Sequence, residues 1–326
     1  MDKIRVGIVG YGNLGRGVQY ALSQNDDMQA VAVFTRRDPR SVQTVLPVEV
    51  DTIANMKNYV GKIDVMILCG GSATDLPVQS VETLRLFNTV DSFDTHAKVP
   101  QYYEALDKAG KLSGKLGAMS IGWDPGLFSL ARILFGSVAP SGNTYTFWGK
   151  GVSQGHSDAI RRIDGVKDAK QYTVPVESAL ASVRACENPS FTARQMHKRV
   201  CYVVAEEGAD LSRIEKEIKE MPNYFADYDT QVNFISEEEL KAEHSGMPHG
   251  GFVLRSCESA NDNDFLLELS LKLESNPEFT AGVLVAYARA VYRMNREGRT
   301  GAVTAFDIAP GYLSPLSFEE QRGKLL

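Results

Sequence analysis

The stretch Ile4–Gly15, IRVGIVGYGNLG, joins a β-branched run to three closely spaced glycines. The run predicts a buried strand, and the glycines lead into helix-compatible sequence from Asn13 to about Ser23. Glycines in this pattern permit a tight turn and a close approach of the backbone to a pyrophosphate, which the helix N-terminus stabilises. The stretch therefore predicts a dinucleotide-binding βα unit; the alternative is a glycine-rich turn without a ligand. The predicted cofactor contacts are Gly10, Tyr11, Gly12, Asn13, Leu14 and Gly15.

Further short apolar runs extend this unit into a parallel sheet. They lie at Ala30–Phe34, Val65–Cys69, Asn88–Val90 and Ala118–Ile121. Short apolar strands that alternate with helices are typical of a doubly wound α/β sheet covered on both faces. We therefore predict a Rossmann-type dinucleotide-binding domain over residues 1–121, with residues from about 300 to 326 packed back on it.

Residues 122–299 lack this alternation and predict a second domain. Its helix candidates are Leu211–Met221 and Ala281–Met294, whose apolar residues recur at helical spacing. The run Ser236–Glu239 has the pattern of a helix capping box, so its carboxylates indicate a helix start and not a metal site. We predict a mixed α+β domain. Its strand candidates are Asn143–Trp148, Gln171–Val174, Val200–Ala205, Val232–Ile235 and Gly251–Arg255.

The composition is that of an ordinary globular protein, with 43% hydrophobic and 23% charged residues among 326. A net charge of −6 gives no basic field for a phosphate backbone, so we expect no nucleic-acid partner. Arg5 and Gly7 interrupt the first apolar run, which therefore does not resemble the apolar stretch of a signal peptide. No apolar run reaches the roughly 18 residues that a membrane span requires. Four cysteines without paired spacing indicate thiols in a reducing compartment. We expect a cytoplasmic protein.

The end of the second predicted strand determines which dinucleotide is expected. An NAD site usually presents an acidic residue to the ribose at this point, whereas this chain has Thr35, Arg36 and Arg37. Guanidinium groups match the oxygens of a 2′-phosphate and pair with them bidentately. We predict NADP. The alternative is that the arginines are a solvated pair and that Asp38 binds the ribose.

Two carboxylates follow later strands of the predicted sheet, Asp94 within Asp91–His96 and Asp124 within Gly122–Gly126. Ligands bind at the carboxyl ends of the strands in this fold, so both carboxylates could face one crevice. Their predicted role is to recognise a cationic ammonium group and to handle protons near the reacting carbon. The alternative is that each only caps a helix or shapes a turn.

Basic residues of the second domain predict a carboxylate-binding site formed by Arg199 and His249; the alternatives are a surface charge and a hydrogen-bonded loop. The five histidines lack the spacing of metal ligands, so we expect no metal. Gln154–Asp158 contains Ser, His and Asp, but the members of a catalytic triad meet through the fold and not as sequence neighbours. We predict a polar loop there.

Eight short motifs are spread from the N-terminus to the last predicted helix. They are Val9–Arg16, Phe34–Arg37, Gly71–Asp75, Gly122–Gly126, Phe147–Gly149, Ser153–Asp158, His244–Gly251 and Ser275–Pro277. Together they closely resemble the meso-diaminopimelate dehydrogenase family. The middle motifs are more specific than the glycine pattern, which many unrelated oxidoreductases share.

The resemblance implies NADP-dependent oxidative deamination at the D-configured carbon of meso-2,6-diaminopimelate. The products are ammonia and L-2-amino-6-oxopimelate, which cyclises to tetrahydrodipicolinate. In reverse the reaction makes diaminopimelate for lysine and peptidoglycan. The family is dimeric, so the resemblance also implies a homodimer whose second domain binds substrate and mediates dimerisation.

The resemblance also implies roles for individual residues. Asp94 and Asp124 should hold the reacting D-amino end, with Trp123 and Trp148 as walls of the pocket. The distal L-amino-acid end should be held by Thr173, Arg199, His249 and Asn276, while the substrate channel should be lined by Gln154 and Asp158. Further cofactor contacts should come from Thr35, Cys69, Gly70, Ser72 and Thr74.

Three alternatives stay open at this point. Asp94 and Asp124 are the best-placed candidates for the general base, but a water chain or a free-amine substrate could also serve. The chain could be a related Rossmann oxidoreductase that acts on another amino or keto acid. It could also be a non-catalytic NADP(H)-binding sensor, although a sensor needs neither the paired carboxylates nor the second polar cluster.

Overall fold

The computed structural model describes residues 3–326 and divides them into two compact units. The first comprises the chain up to Leu130 together with Pro277–Leu326, and the second comprises Ala131–Asn276. The strands are, in chain order, β1 Ile4–Val9, β2 Met28–Thr35, β3 Glu49–Thr52, β4 Val65–Leu68, β5 Asn88–Asp91, β6 Leu116–Ala118, β7 Asn143–Trp148, β8 Gly151–Val152, β9 Val166–Pro175, β10 His197–Ala205, β11 Asp229–Phe234, β12 His249–Glu258, β13 Asp264–Leu273 and β14 Gly301–Val303.

The α-helices alternate with these strands in the first part of the chain. They are α1 Asn13–Ser23, α2 Leu76–Leu84, α3 Val99–Ser113, α4 Leu127–Val138, α5 Gln154–Arg161, α6 Glu177–Arg184, α7 Ala193–Met196, α8 Leu211–Glu220, α9 Glu237–Glu243, α10 Asn276–Arg296 and α11 Phe318–Leu325. The predicted start and end of the helix after the glycine turn are confirmed by α1.

The first unit is built on a seven-stranded sheet of order β14-β6-β5-β4-β1-β2-β3, in which every neighbouring pair is parallel. One apolar cluster lies on the face covered by α1 and α10 and includes Val18 and Leu284. A second cluster lies on the face covered by α2 and α3 and includes Leu76 and Leu106. Burial on both faces explains the continuous apolar strands, and the predicted Rossmann-type doubly wound sheet is confirmed.

Strand β6 ends earlier than the sequence indicates. The apolar run predicts a strand over Ala118–Ile121, whereas β6 covers Leu116–Ala118. Ser120 adopts a φ of 56°, and Ile121 donates its N–H to the carbonyl oxygen of Asp91 at 2.9 Å. The chain therefore leaves the sheet at this point, and residues 119–126 form a connection at the carboxyl ends of β5 and β6.

The second unit contains two smaller sheets. One has four strands in the order β11-β10-β9-β8, with a parallel β10–β11 pair and antiparallel β9–β10 and β8–β9 pairs. The other is antiparallel, in the order β13-β12-β7. Helix α8 buries Ile214 and Ile218 against the first sheet. The predicted mixed α+β character of this unit is confirmed, and the Oγ of Ser236 accepts the N–H of Glu239 at the start of α9, as the capping box predicts.

The boundaries of the two units differ from the predicted ones, which lie after residue 121 and near residue 300. Some secondary-structure elements were also not predicted. Helix α10 buries Ala281, Leu284 and Val291 in the core of the first unit, so that unit resumes at Pro277. Strand β13 was missed, although its apolar residues alternate strictly with polar ones from Leu267 to Leu273. Gln154–Asp158, predicted as a loop, begins α5, because Ser153 caps the helix by accepting the N–H of His156.

Within residues 3–326, no group of three or more His, Cys, Asp or Glu side chains is arranged to hold a metal ion. Over the same residues, no helix combines the length and the apolar character that crossing a membrane requires.

Candidate active site

The glycine turn after β1 is shaped for close backbone approach. Gly10 adopts a φ of 89° and donates its N–H to the Phe34 carbonyl oxygen at 2.9 Å. A Cβ on Gly15 would lie 2.2 Å from the Gly10 carbonyl oxygen, so only glycine fits. Helix α1 has no side-chain cap at Gly12, and a Cβ built there meets no atom within 4 Å. This helix end thus offers backbone N–H groups and open space, which suit a pyrophosphate.

The other predicted residues of this turn have structural contacts. The side chain of Tyr11 is buried; its hydroxyl donates to Gln19 Oε1 and accepts the N–H of Val45 at 2.9 Å. Leu14 packs against the apolar cluster under α1. These two residues can reach a dinucleotide through their backbone, whereas their side chains fasten the turn to the core.

The arginine pair lies at the carboxyl end of β2. Arg36 is mostly exposed, and its guanidinium bonds both carboxylate oxygens of Asp75 at 2.9 and 3.1 Å. Arg37 donates to the carbonyl oxygen of Tyr11 at 3.0 Å, and its N–H donates to Thr35 Oγ1 at 3.1 Å. Asp38, the alternative ribose ligand, is exposed and pairs with Arg40 at 3.0 Å. The pKa of Asp38 is lowered, first by the hydrogen bond from Arg40.

The segment after β4 supplies the remaining predicted cofactor residues, Cys69, Gly70, Ser72 and Thr74. Cys69 donates its N–H to the Val9 carbonyl oxygen at 2.8 Å, which places the segment beside the glycine turn. Burial raises the pKa of the Cys69 thiol to about 12, so it stays protonated at neutral pH. Gly70 packs so closely that a Cβ would lie 2.8 Å from the Asp75 Cβ. Ser72 is half-buried and Thr74 is exposed.

Asp94 and Asp124 follow the neighbouring strands β5 and β6. Asp94 is exposed, and its N–H donates to Ser72 Oγ at 2.9 Å, which ties it to the segment after β4. Asp124 is half-buried and follows Trp123, which is buried and packs edge-on against Phe128 with 5.2 Å between ring centroids. The structure therefore places both carboxylates at the carboxyl edge of the same sheet, as predicted.

The second unit holds Arg199 and Thr173 opposite each other on β10 and β9. The guanidinium of Arg199 donates to Thr173 Oγ1 and stacks on the ring of Tyr228, 3.9 Å from its centroid. Arg199 is only 8% exposed, and its buried Nε has no hydrogen-bond partner among the residues that the structure describes. No carboxylate among residues 3–326 forms an ion pair with it. Burial lowers the pKa of Arg199, yet the group stays charged because its ordinary value is so high.

His249 lies against the end of this same sheet. Gly151 pairs with Thr173, and a Cβ on Gly151 would lie 2.4 Å from the His249 Cγ. The N–H of Gly250 donates to His249 Nδ1 at 2.8 Å, which favours the tautomer that carries its proton on Nε2. Arg199, Thr173 and His249 thus belong to one cluster, and each of the three carries a hydrogen-bond donor suited to a carboxylate.

Met247 connects this cluster to two further predicted residues. Gln154 donates from Nε2 to the Met247 Sδ at 3.2 Å, and the N–H of Asn276 donates to the Met247 carbonyl oxygen at 3.0 Å. Asp158 lies one turn after Gln154 on α5, is exposed and pairs with Arg161. Gln154 and Asn276 therefore both contact Met247, two residues before His249, whereas Asp158 pairs with Arg161.

Trp148 is 40% exposed at the end of β7 and is fixed by a residue that the sequence analysis missed. The backbone N–H of Trp148 donates to His197 Nε2 at 2.9 Å, and the two rings stack with centroids 5.3 Å apart. Burial, with a contribution from the charge of Arg199, lowers the pKa of His197 to about 4. His197 is thus a neutral acceptor at pH 7. Its position two residues before Arg199 on one strand, hence on the same face, was an available signal.

Asp75 and Tyr228 were also missed. Asp75 stands in the motif Gly71–Asp75, but no local pattern indicates that it bonds an arginine 39 residues earlier. Tyr228 comes directly before β11, and its contact with Arg199 depends on the pairing of β10 with β11. Contacts of this kind arise from sheet topology and leave no trace in sequence spacing.

Comparisons with known proteins show which family this chain resembles. The family profile described as Diaminopimelic acid dehydrogenase C-terminal domain matches residues 122–275. The meso-diaminopimelate D-dehydrogenase of Ureibacillus thermosphaericus is 60% identical over the full length of both chains. A crystal structure of a six-fold substituted Clostridium tetani E88 meso-DAPDH with DAP has 54% identity and a TM-score of 0.95, covering 99% of this chain and 100% of that one.

An engineered D-amino acid dehydrogenase bound to NADP⁺ has 40% identity and a TM-score of 0.87, covering 99% of this chain and 100% of that one. Its likeness extends over both units. With full-length identity of 60% to a curated relative and the same fold in solved structures, the chain belongs to the meso-diaminopimelate D-dehydrogenase family.

Proposed function

We propose that this chain is an NADP-dependent dehydrogenase of meso-2,6-diaminopimelate. A hydride leaves the D-configured carbon for NADP⁺, and water hydrolyses the resulting imine to ammonia and L-2-amino-6-oxopimelate, which cyclises to tetrahydrodipicolinate. The reaction is reversible and serves the synthesis of diaminopimelate and lysine. Family membership supports this assignment, as do the DAP in the Clostridium tetani structure and the NADP⁺ in the engineered D-amino acid dehydrogenase.

The first unit is the proposed dinucleotide-binding domain, and its residues fit NADP. The uncapped start of α1 and the open space at Gly12 suit the pyrophosphate, while Arg36 and Arg37 suit a 2′-phosphate. When bound, NADP⁺ supplies the acceptor for the hydride that leaves the substrate carbon. Ser72 bonds the N–H of Asp94 and so links the cofactor segment to the loop that carries a proposed catalytic carboxylate.

The observation that carries the proposal is the buried Arg199, which has no carboxylate partner within residues 3–326. A buried cation is costly unless an anion or hydrogen bonds compensate it. A substrate carboxylate would accept from the unpaired Nε, while Thr173 and His249 add hydroxyl and imidazole contacts. We assign these residues, with Asn276, to the distal L-amino-acid head and Gln154 to the substrate channel, which makes the second unit the substrate-binding domain.

The other head of the substrate carries the reacting carbon. Carboxylates attract an ammonium group, and we assign Asp94 and Asp124 to hold it and to accept hydrogen bonds as the amine is oxidised. Trp123 and Trp148 are proposed as apolar walls of the pocket, and Asp158 as a residue of the substrate channel. A distal head gripped in one orientation leaves only the D-configured head at the site of oxidation.

The test is a steady-state assay of the purified protein with meso-diaminopimelate and either NADP⁺ or NAD⁺. We expect one NADPH and one ammonia per substrate consumed, and a kcat/KM with NADP⁺ that exceeds the value with NAD⁺ by at least about tenfold, as the loss of charge-assisted phosphate contacts requires. Cofactor binding without turnover would contradict the dehydrogenase and favour a sensor.

We also propose that the second unit forms a homodimer. The strand β13 lies at the edge of its sheet, and its apolar side chains on one face include Phe265, Leu267 and Leu269. Leu267 pairs with Arg255, which hydrogen-bonds the carbonyl oxygen of Ala139 just after α4, so α4 lies on the same side. Exposed apolar side chains on α4 are Ile133, Leu134 and Val138.

A second copy of this chain is the proposed partner for this apolar patch, because exposed patches of this kind mark interfaces. Light scattering after gel filtration should give twice the chain mass for the wild type and a monomer for Leu269→Lys. A monomeric wild type would contradict the dimer.

The reaction is proposed to take place in the cytoplasm. Cys69, Cys186, Cys201 and Cys257 are all free thiols, which agrees with a reducing compartment.

A further inference from the structure

Asp91 is a buried carboxylate at the end of β5 that the sequence analysis did not single out as a site residue. It is 0% exposed, although it lies three residues before Asp94. Four donors point at its carboxylate, two from helices and two from loop backbones. A fully buried carboxylate is rare unless it is paired or hydrogen-bonded to this extent.

The two carboxylate oxygens have different partners. Oδ2 accepts the hydroxyl of Ser80 on α2 at 2.9 Å and the hydroxyl of Tyr102 on α3 at 2.5 Å. Oδ1 accepts the N–H of Phe93 at 3.1 Å and the N–H of Ser120 at 3.4 Å. One oxygen is thus anchored to two helices of the core, and the other holds two segments of loop backbone.

The two loop segments are those that carry the proposed catalytic carboxylates. Phe93 directly precedes Asp94, and Ser120 lies in the connection of residues 119–126 that contains Asp124. The main chain of Asp91 adds a third link, because its carbonyl oxygen accepts the N–H of Ile121 at 2.9 Å. Asp91 therefore contacts both loops directly.

Ser120 shows that the second loop needs such an anchor. Its φ of 56° is uncommon for a residue with a side chain. A conformation of this kind persists only where its surroundings determine it. The bonds from Ser120 and Ile121 to Asp91 lie at this strained residue and direct the chain toward Trp123 and Asp124.

We propose that Asp91 is a positioning residue for the dehydrogenase reaction, which sets the spacing of Asp94 and Asp124 by holding both loops on one buried carboxylate. The proposal rests on the proposed function of those two aspartates. Asp91 itself touches neither substrate nor cofactor in this role. Burial raises the pKa of its carboxyl, while the hydrogen bonds from Tyr102, Phe93, Ser80 and Ser120 oppose that shift.

The main variant is Asp91→Asn, which keeps the size of the side chain but turns one acceptor into a donor. The hydroxyls of Ser80 and Tyr102 can turn to accept from the new amide, whereas the N–H groups of Phe93 and Ser120 can only donate and lose their charged acceptor at Oδ1. We expect kcat for meso-diaminopimelate, counted per NADPH-binding site, to fall at least about tenfold, because small misplacements of reacting groups cost factors of this size or more. The KM for diaminopimelate should rise less than kcat falls, since the proposed contacts of the distal head are elsewhere, and the Kd for NADPH should stay within about threefold.

The matched control is Tyr102→Phe. It removes one bond to Oδ2 but leaves both loop N–H groups on Oδ1, so the Tm should fall while kcat per NADPH-binding site stays within about twofold of the wild type. Deuterium at the D-carbon gives a further readout. A misplaced substrate head slows hydride transfer and raises the isotope effect on kcat in Asp91→Asn, whereas a partly unfolded preparation leaves the isotope effect unchanged.

Two results would overturn the proposal: a per-site kcat of Asp91→Asn within twofold of the wild type, or equal losses in Asp91→Asn and Tyr102→Phe with an unchanged isotope effect. If Asp91→Asn does not fold, Asp91→Ser takes its place, with room for a water molecule among the same donors and the same per-site readout. The wild type is assayed first. Failure of the proposed function would appear there as absent turnover, before any variant is compared.

Discussion

The guanidinium of Arg36 is held by the carboxylate of Asp75 through two hydrogen bonds of 2.9 and 3.1 Å. Asp75 also accepts the N–H of Gly71 at 2.9 Å, and this bond, followed by the effect of Arg36, holds the pKa of Asp75 below its usual range. The pair joins the end of β2 to the segment after β4. An otherwise exposed arginine is thereby oriented where a 2′-phosphate is expected, which gives the predicted cofactor preference a structural basis.

Replacing Arg36 should therefore weaken NADP⁺ selectively. For Arg36→Ala we expect the KM for NADP⁺ to rise about tenfold to hundredfold, as the loss of a charge-assisted hydrogen bond of roughly 1.5–3 kcal/mol implies. The KM for NAD⁺ should change less than twofold, since NAD⁺ lacks the 2′-phosphate. Arg40→Ala is the control, because Arg40 is exposed and paired with Asp38. Equal effects of the two substitutions on NADP⁺ would refute the assignment.

The buried Arg199 predicts how substrate choice changes. In the double variant Arg199→Met/His249→Asn, the kcat/KM for meso-diaminopimelate should fall by roughly 30-fold or more, because a charged partner in a buried contact is worth about 2–5 kcal/mol. Simple D-amino acids without a distal carboxylate should gain relative to diaminopimelate. Arg194→Met is a control on the same part of the chain, since Arg194 is exposed and donates to the Ala226 carbonyl oxygen. Unchanged kinetics for both substrate types would rule out this role.

Gly151 offers a test of His249 that changes no polar group. In Gly151→Ala the new Cβ would lie 2.4 Å from the His249 Cγ and 2.8 Å from its Cα, so the histidine must shift. We expect the KM for meso-diaminopimelate to rise at least about fivefold, while the Kd for NADPH is retained. Gly155→Ala is the matched control, because a Cβ there meets no atom within 4 Å. A KM that is equal in the two variants would show that His249 does not bind the substrate.

His197 predicts a pH dependence of stability. Burial lowers the pKa of His197 from 6.5 to about 4. Between pH 6.5 and pH 4 the imidazole is therefore protonated in the unfolded chain and neutral in the folded chain. The free energy of unfolding should therefore fall as the pH drops from 6.5 toward 4, by about 2 kcal/mol at pH 5 from this residue. His156, whose pKa burial also lowers to about 4, adds a similar effect in the same window.

Urea unfolding at pH 7 and pH 5 checks this prediction. His197→Gln should lose less stability than the wild type on acidification, because the titrating group is gone. His96→Gln is a suitable comparison, as His96 is exposed. If the wild type and His197→Gln show the same pH dependence, His197 is not protonated in the way its burial implies.

The parts of the fold that depend on local sequence patterns could be predicted from the sequence. The glycine turn, α1 and the alternation of apolar strands with helices all follow from residues close together in the chain. The site residues Arg199 and His249 could be proposed as a carboxylate site, but the contacts that support them could not. Tyr228 reaches Arg199 because β10 pairs with β11, and Trp148 meets His197 across two different strands.

Asp91 illustrates the same limit within the first unit. Its hydrogen bonds join β5 to α2, α3 and the connection after β6, and none of these partners except Phe93 is near it in sequence. The early end of β6 has the same origin, because the bond from Ile121 to Asp91 draws the chain out of the sheet. Such positions are fixed by tertiary packing, which local propensity does not encode.

The most direct test of the central claim is the rate of NADPH formation with the three stereoisomers of 2,6-diaminopimelate. An enzyme that oxidises a D-configured head while gripping an L-configured one should use the meso isomer, fail with the L,L isomer, and use the D,D isomer at most weakly. Comparable rates with all three isomers, or no rate with any despite NADPH binding, would contradict it.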